Sequence, residues 1–387
     1  MPAILFAIFI DLTGFGIIVP ILPFLVIEYG GSAASGTALL SIYSLFAFAA
    51  GPIWGRLSDR IGRRPALAAT FLGATASYIV LACADSLAML FLARALSGAM
   101  AGNVGIAMAA IADLTDENNR GRAMGLIGGV FGLGFAFGPV IGGLLSGMSE
   151  QSPVFVPGLA AAGLSLTAML LTLKFMPETH TLEAPSESDT PVAKVSWTSF
   201  LSTPAQIALF SMFIVTSAGQ SLTFAVLPFW SMGVLGWSQI QVGYLMGAIG
   251  LCIAAIQSLA TGPLFKSLGE LWSLALGIGV FLIGCLVVVL ATASPGSTIL
   301  SFPLMMAGLT LSFPALNSLL SRRTDRRHQG AALGLSNGIS ALGRMMGPIA
   351  GGFMFEQVSP TSPFYITASL GLFALFWCFW EIRNSKR

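Results

Sequence analysis

The 387-residue chain is 55% hydrophobic and 9% charged, with 18 Lys and Arg against 16 Asp and Glu. Soluble domains carry about 25% charged residues, so this composition excludes a water-soluble globular protein. A net charge of +2 gives no reason to invoke nucleic acid, and the four cysteines and two histidines are spaced like neither a metal site nor a disulfide framework.

Twelve apolar runs, each near the roughly 20 residues that cross a bilayer, follow along the chain at 3–27, 36–56, 66–84, 87–113, 121–146, 153–175, 204–230, 239–261, 271–292, 297–319, 330–354 and 360–381. The first has no charged leader or small-residue cleavage site and carries Asp11 inside it, so it reads as a mature helix rather than a signal peptide. The stretch 176–203 holds most of the polar residues between the sixth and seventh runs and lacks helical periodicity. The pattern predicts an all-α membrane protein of twelve transmembrane helices in two pseudo-symmetric six-helix bundles, 1–175 and 204–387, joined by a cytoplasmic linker at 176–203.

Sixteen of the 18 Lys and Arg fall in alternate loops and the C-terminal stretch, while the intervening loops near 30, 85, 150, 234, 295 and 357 carry none. By the positive-inside rule both termini lie in the cytoplasm, with the basic loops against anionic membrane lipids. The chain also repeats itself. Residues 121–143 (GRAMGLIGGVFGLGFAFGPVIGG) and 330–352 (GAALGLSNGISALGRMMGPIAGG) agree at 11 of 23 positions with an offset of 209, among them Gly134, Gly138, Pro139, Gly142 and Gly143, and their mates Gly347 and Pro348. Small residues four apart let helices approach closely and proline bends a span, so these positions read as helix packing with a gating consequence at the seam between the bundles. Duplicated membrane bundles of this size mark a secondary transporter whose small-molecule path runs where the halves meet, for which a monomer suffices. No nucleophile–base set or metal-ligand cluster occurs in the spans, so an enzyme is not expected and no cofactor is implied.

Between the second and third runs stands Gly55-Arg-Leu-Ser-Asp59-Arg60-Ile-Gly62-Arg63-Arg64. This resembles the signature cytoplasmic loop of the major facilitator superfamily. Three further stretches agree with it: Gly16 to Pro23 in the first run, Leu90 to Gly98 around Arg94 in the fourth, and Gly134 to Gly143 in the fifth. Together they resemble the twelve-helix drug:proton antiporters, and Asp11-Leu-Thr-Gly-Phe-Gly-Ile-Ile-Val-Pro-Ile-Leu-Pro23 is similar to their tetracycline-efflux branch. The resemblance implies the major facilitator fold, residence in the cytoplasmic membrane, and a cytoplasmic cluster of Gly55, Asp59, Arg60, Gly62, Arg63, Arg64 and Asp113 that latches the two halves. Asp113 is placed to pair with Arg60 or Arg63, and Asp59 near the start of the third helix would favour its positive dipole end. The corresponding loop of the second half carries Lys266 and Glu270 where Asp59 and Arg63 stand, and reads as a degenerate copy.

Asp11, Arg94 and Arg344 lie inside spans. Each charge costs about 2.5–3.5 kcal/mol at mid-span on insertion scales, which makes it a functional candidate. Burial favours a neutral carboxyl and a nearby cation favours the ionised one, so Asp11 is read as the proton-coupling group and Arg94 as the neighbour that tunes it; a fixed Asp11–Arg94 ion pair is the structural alternative. Arg344 is read either as a site for an anionic part of a substrate or as scaffold. Asn103, Gln220, Gln257, Phe224, Asn317 and Asn337 are candidate cavity residues, with Tyr43 and Trp230 as aromatic surfaces. Unlike tetracycline exporters, the chain has no acid buried in the third helix or in the second half, so tetracycline itself is not the expected substrate. The expected activity is export of small amphipathic compounds by alternating access, driven by the proton gradient. The alternatives are a carrier of an organic or lipid-like anion using Arg94 and Arg344, and a scaffold or sensor that transports nothing.

Overall fold

The computed structural model describes residues 1–115, 117–146, 148, 152–179, 200, 203–290, 294–324 and 329–384, and among these the chain is α-helical with no strand. Most of the expected linker at 176–203 lies outside the described residues. Sixteen α-helices build the spans. The first span is α1 (Pro2–Ile18) and α2 (Leu22–Glu28), broken where Pro20 and Pro23 withdraw two N–H donors. The next three spans are α3 (Ala33–Ile61), α4 (Arg63–Ala82), and α5 (Leu87–Ala99) with α6 (Asn103–Asp113). The fifth and sixth are α7 (Glu117–Leu145) and α8 (Phe155–Phe175).

The second half begins with α9 (Pro204–Leu235). Its next span is α10 (Gln239–Ala255), a π-helical turn (Ile256–Ala260) and α11 (Thr261–Leu268). Then come α12 (Glu270–Leu290), α13 (Pro295–Thr310) with α14 (Ser312–Arg322), α15 (Gln329–Gln357) and α16 (Ser362–Asn384). Eleven of the twelve spans are long and apolar enough to cross a membrane. The other is α15, whose 29 residues reach about 43 Å but include Ser336, Asn337, Ser340 and Arg344.

The packing repeats with the sequence. In the first half α1 lies against α7 and α8, and α4 against α8; in the second, α9 lies against α15 and α16, and α12 against α16. The first half holds apolar clusters around Ile8, Phe71 and Ile111 and around Ile18, Leu25 and Leu90, and the second holds one around Phe213, Leu316 and Trp377; a fourth, around Trp230, Phe281 and Phe302, takes in Val19 of the first half. Trp230 is sealed in this core, with its ring 5.6 Å from Phe302 and 6.0 Å from Phe364, so it is not the cavity surface expected of it.

The glycines of the repeated helix serve two faces. Gly134, Gly138 and Gly142 of α7 meet α1: a Cβ on Gly138 would stand 2.6 Å from the Thr13 carbonyl oxygen and 2.7 Å from Gly16 Cα. Gly343 and Gly347 of α15 meet α9 in the same way, at Ile214 and Ala218, and Pro139 and Pro348 are carried inside unbroken helices. Most of the motif therefore packs a helix against its own half. The seam between halves uses the repeat mates Gly143, against Gln239 and Ile240 of α10, and Gly352, against Ala34 and Thr37 of α3.

The seam is not closed along its whole length. Near the N-terminal end of α3, Gly352 touches Thr37, Gly36 is covered by the Phe229 ring, and the Glu356 carboxylate accepts from the Ala34 N–H at 3.2 Å. Midway down, a Cβ on Gly338 would stand 3.6 Å from the Phe48 ring. Below that, a Cβ on Gly51 or Gly55 of α3 or on Gly334 of α15 would meet nothing within 4 Å, and Gly51 and Gly334 are exposed. On the α3–α15 side the halves thus part toward the ends bearing the basic loops, whereas α7 stays against α10 and the π-helical turn as far as Gly128 and Gln257. Gly138→Val should cost about 1–3 kcal/mol by forcing α1 and α7 apart, whereas Gly163→Val, which has open space around it, should be neutral; thermal unfolding of the two purified variants checks this.

Candidate substrate path and charged clusters

Asp11 is buried at 5% exposure in the middle of α1. Ser165 of α8 donates to its Oδ1 at 2.8 Å, and Asn103 Nδ2 donates to its Oδ2. Asn103 can reach it because the fourth span breaks after Ala99 and restarts at Asn103, which becomes the first residue of α6. Trp54 of α3 covers Gly102 and donates from Nε1 to the Ala99 carbonyl at 2.7 Å, taking up an oxygen that the break leaves without a helical partner. The Asn103 side-chain oxygen accepts from Val104 N–H at 2.9 Å, which aims the amide nitrogen at Asp11. Ser165 was not among the residues expected from sequence, because one serine in an apolar helix carries no signal until the helix is placed beside α1.

The fixed Asp11–Arg94 ion pair, the structural alternative, is not formed. Arg94 is fully buried in α5, and its guanidinium carbon lies 5.2 Å from the Phe15 ring centroid and 4.8 Å from that of Tyr43. A desolvated cation over a ring gains roughly 2 kcal/mol, which offsets part of the cost of burying it. Phe15 also meets Phe135 of α7 at 5.9 Å, and Phe135 meets Phe224 of α9 at 5.7 Å, so an aromatic file joins the halves at mid-span. Phe15 and Phe224 are mates under the 209-residue repeat, and Arg344 is the mate of Phe135.

The remaining cavity candidates divide. Asn337 and Arg344 are exposed on α15, and Gln220 and Gln257 are half-buried. Gln257 lies in the π-helical turn with its side-chain oxygen 2.8 Å from where a Cβ on Gly128 would stand. Asn317 instead accepts a hydrogen bond from Ser336 at 3.2 Å and ties α14 to α15.

At the ends with the basic loops, Arg63 is the organising residue. It bonds Asp59 at 2.7 Å, Asp113 at 3.2 Å and Ser58 at 2.6 Å. Asp59 lies in the last turn of α3, not at the start of the next helix as expected; α3 simply runs on to Ile61. The anion at the start of α4 is Glu178, which accepts from the Arg63 and Arg64 N–H groups at 2.7 and 3.2 Å and leaves no room for a Cβ on Gly62, itself at φ +99°. Arg64 donates to the Leu173 carbonyl, and Arg60 is exposed.

The second-half loop is not degenerate in this respect. Glu270 bonds Arg322 at 2.6 Å and Ser318 at 3.0 Å. With offsets of 207 and 209, Glu270 replaces Arg63 and Arg322 replaces Asp113, so the ion pair is retained with its polarity reversed. Glu381 is buried beside Arg323, which corrects the expectation of no buried acid in the second half. Two of these four ion pairs lie within the first half and two within the second. Arg63→Met should lower stability by about 1–2 kcal/mol, the worth of charge-assisted bonds less the screening of exposed Asp59. Arg60→Met should leave thermal unfolding almost unchanged.

Comparison with known proteins agrees with this arrangement. The Major Facilitator Superfamily model matches residues 4–348 and 235–387. The class C tetracycline resistance protein of Escherichia coli is 33% identical over 352 residues, covering 89% of this chain and 87% of that protein. The class E protein of the same organism is 31% identical over 360 residues, covering 92% and 87%. Among solved structures, the human organic anion transporter MFSD10 (TETRAN) superposes with a TM-score of 0.72 at 22% identity, covering 97% of this chain and 98% of that one. A bacterial homolog of the human lysosomal transporter Spinster, inward-facing and occupied, superposes at 0.80 with 13% identity, covering 98% and 96%. Both likenesses speak for the fold. With its apolar spans and these relatives, the chain is an integral protein of the inner membrane that moves small molecules, not an enzyme, and it belongs to the major facilitator superfamily.

Proposed function

We propose that this transporter exports small amphipathic compounds in exchange for protons by alternating access, with Asp11 carrying the proton. The observation that supports this reading most is a buried carboxyl held by donors from two other spans, Asn103 and Ser165, at a position whose repeat mate is Gln220. A group needed only for packing would serve both halves; a proton site is needed once. The names of the tetracycline resistance relatives favour efflux as the direction.

The parted ends of α3 and α15 then correspond to the inward-facing state, with both termini and the basic loops in the cytoplasm and against anionic lipid. In it Asp11 passes its proton to the cytoplasm and the two donors stabilise the carboxylate left behind. A compound enters between the halves as far as the aromatic file of Phe15, Phe135 and Phe224. Closure brings the inner ends of α3 and α15 together and opens the outer contacts at Gly352 and Glu356. The two ion clusters keep each half's inner end rigid, so the halves rock as bodies about the glycine seams. The proton gradient supplies the energy, no cofactor is required, and one chain is sufficient.

Asp11→Asn keeps the size of the side chain and removes the titrating group. In proteoliposomes with an internal pH dye and a panel of cationic, zwitterionic and anionic amphiphiles, it should abolish substrate-triggered proton flux while substrate exchange persists. Unchanged proton flux in this variant would sink the assignment, and a sensor would keep its function without Asp11.

A further inference from the structure

The fourth span is broken from Met100 to Gly102, and a side chain of another helix stands at the gap. In an unbroken helix the Ala99 carbonyl would accept from the Asn103 N–H four residues on. Here it accepts from Trp54 Nε1 of α3 at 2.7 Å. The same indole lies over Gly102, where an added Cβ would stand 2.5 Å from Trp54 Cβ and Cγ. Trp54 thus takes the place of the N–H that would close the helix, and its bulk covers the residue that caps the next one.

Asn103 depends on that break. It opens α6 with its side-chain oxygen on Val104 N–H and its amide nitrogen on Asp11 Oδ2. Ser165 holds the other oxygen from α8, so it is a donor independent of the break. Among the described residues no charged side chain pairs with Asp11. The helices packed on α1 are α6, α7 and α8. Their nearest charges in sequence, Asp113, Arg122 and Lys174, stand about 13 Å or more along each helix from Asn103, Gly134 and Ser165, which meet α1 around Asp11. Arg94 and Tyr43 approach α1 one turn further on, at Phe15. The two hydrogen-bond donors are therefore the groups that hold the ionised carboxyl directly.

Trp54 stands on α3 between Gly51 and Gly55, where this helix parts from α15, and two residues beyond Pro52, whose ring removes a helical hydrogen bond. The geometry points to Trp54 as a positioning residue of the proton site: by holding the fourth span open it keeps Asn103 on Asp11, and so sets the pH at which the proton leaves. The arm of α3 that closure moves is then the arm that governs the grip on Asp11. This deepens the transport reading and rests on it for what the proton does, but not for how the carboxyl is held.

The test is infrared titration of the full chain in detergent, reading the carboxyl band that Asp11→Asn removes. A carboxylate that loses a donor gives up its proton less readily. Trp54→Phe keeps a ring and removes the N–H, and should move the midpoint of that band up by about half to one pH unit, a threefold to tenfold change in proton affinity. Asn103→Leu should move it at least as far, and adding Trp54→Phe to it should change nothing more. Trp54→Phe and Ser165→Ala should instead add. Gly102→Ala displaces the indole with its N–H intact and should shift the midpoint in the same direction, which covers the case of a Trp54 variant that folds poorly. A midpoint that neither Trp54→Phe nor Gly102→Ala moves, or shifts of Trp54→Phe and Asn103→Leu that add, overturns the role. Proton flux in proteoliposomes keeps the two readings apart. A band that shifts as expected, with flux intact in Asp11→Asn, sinks the transport reading and leaves Trp54 its role. Flux lost in Asp11→Asn, with a band indifferent to Trp54, does the reverse.

Discussion

Hydrocarbon removes the hydrophobic drive between helices, since lipid is as apolar as leucine, so association in a membrane rests on close packing and a few polar contacts. This chain meets that constraint with glycine. Gly138 and Gly16 bring the backbones of α1 and α7 together, Gly347 does the same for α9 and α15, and Gly143 and Gly352 draw the halves against each other. Everything else is hung on those contacts: the aromatic file, the reach of Ser165 to Asp11 and the placing of Arg94 between two rings all depend on helices held at backbone distance.

Because the packing positions are duplicated, the differences between the halves stand out as chemistry. Phe15 and Phe224 are kept as mates, and both pack on Phe135. Asp11 becomes Gln220 and Phe135 becomes Arg344, so the first half holds a buried acid and the second an exposed cation on α15. The ion pair at the ends with the basic loops is kept as an interaction but not as residues, with Arg63–Asp113 answered by Glu270–Arg322. Coulomb attraction is indifferent to which partner is positive, so such a pair can invert its polarity and still hold two helix ends together. Comparison of the loops position by position hides this, because each reversed residue looks like a loss.

The breaks in the spans matter as much as the spans. The fourth is interrupted between Ala99 and Asn103, and its loose carbonyl is taken up by Trp54, which leaves Asn103 free to face Asp11. The eighth passes through a π-helical turn that carries Gln257 to the seam. Irregular backbone at membrane depth is tolerated where protein or a cavity supplies its partners, as Trp54 does at the first of these two.

The sequence by itself determined the twelve spans, the duplication, the family and the three intramembrane charges, because hydropathy, an exact offset and the expense of a charge in lipid are all written along one dimension. It also singled out Asp11 and offered Asp113 a partner in Arg60 or Arg63, of which the structure uses Arg63. Only the tertiary structure decided who touches whom: that Asp11 is held by Ser165 and Asn103 and not by Arg94, that Glu178 and not Asp59 sits at the start of α4, that Trp230 is core, and that most of the glycine motif packs within a half. These depend on the rotation and depth of each helix relative to its neighbours. An apolar helix hydrophobic all round has no polar face to announce that rotation, so it is settled only when the glycines interlock.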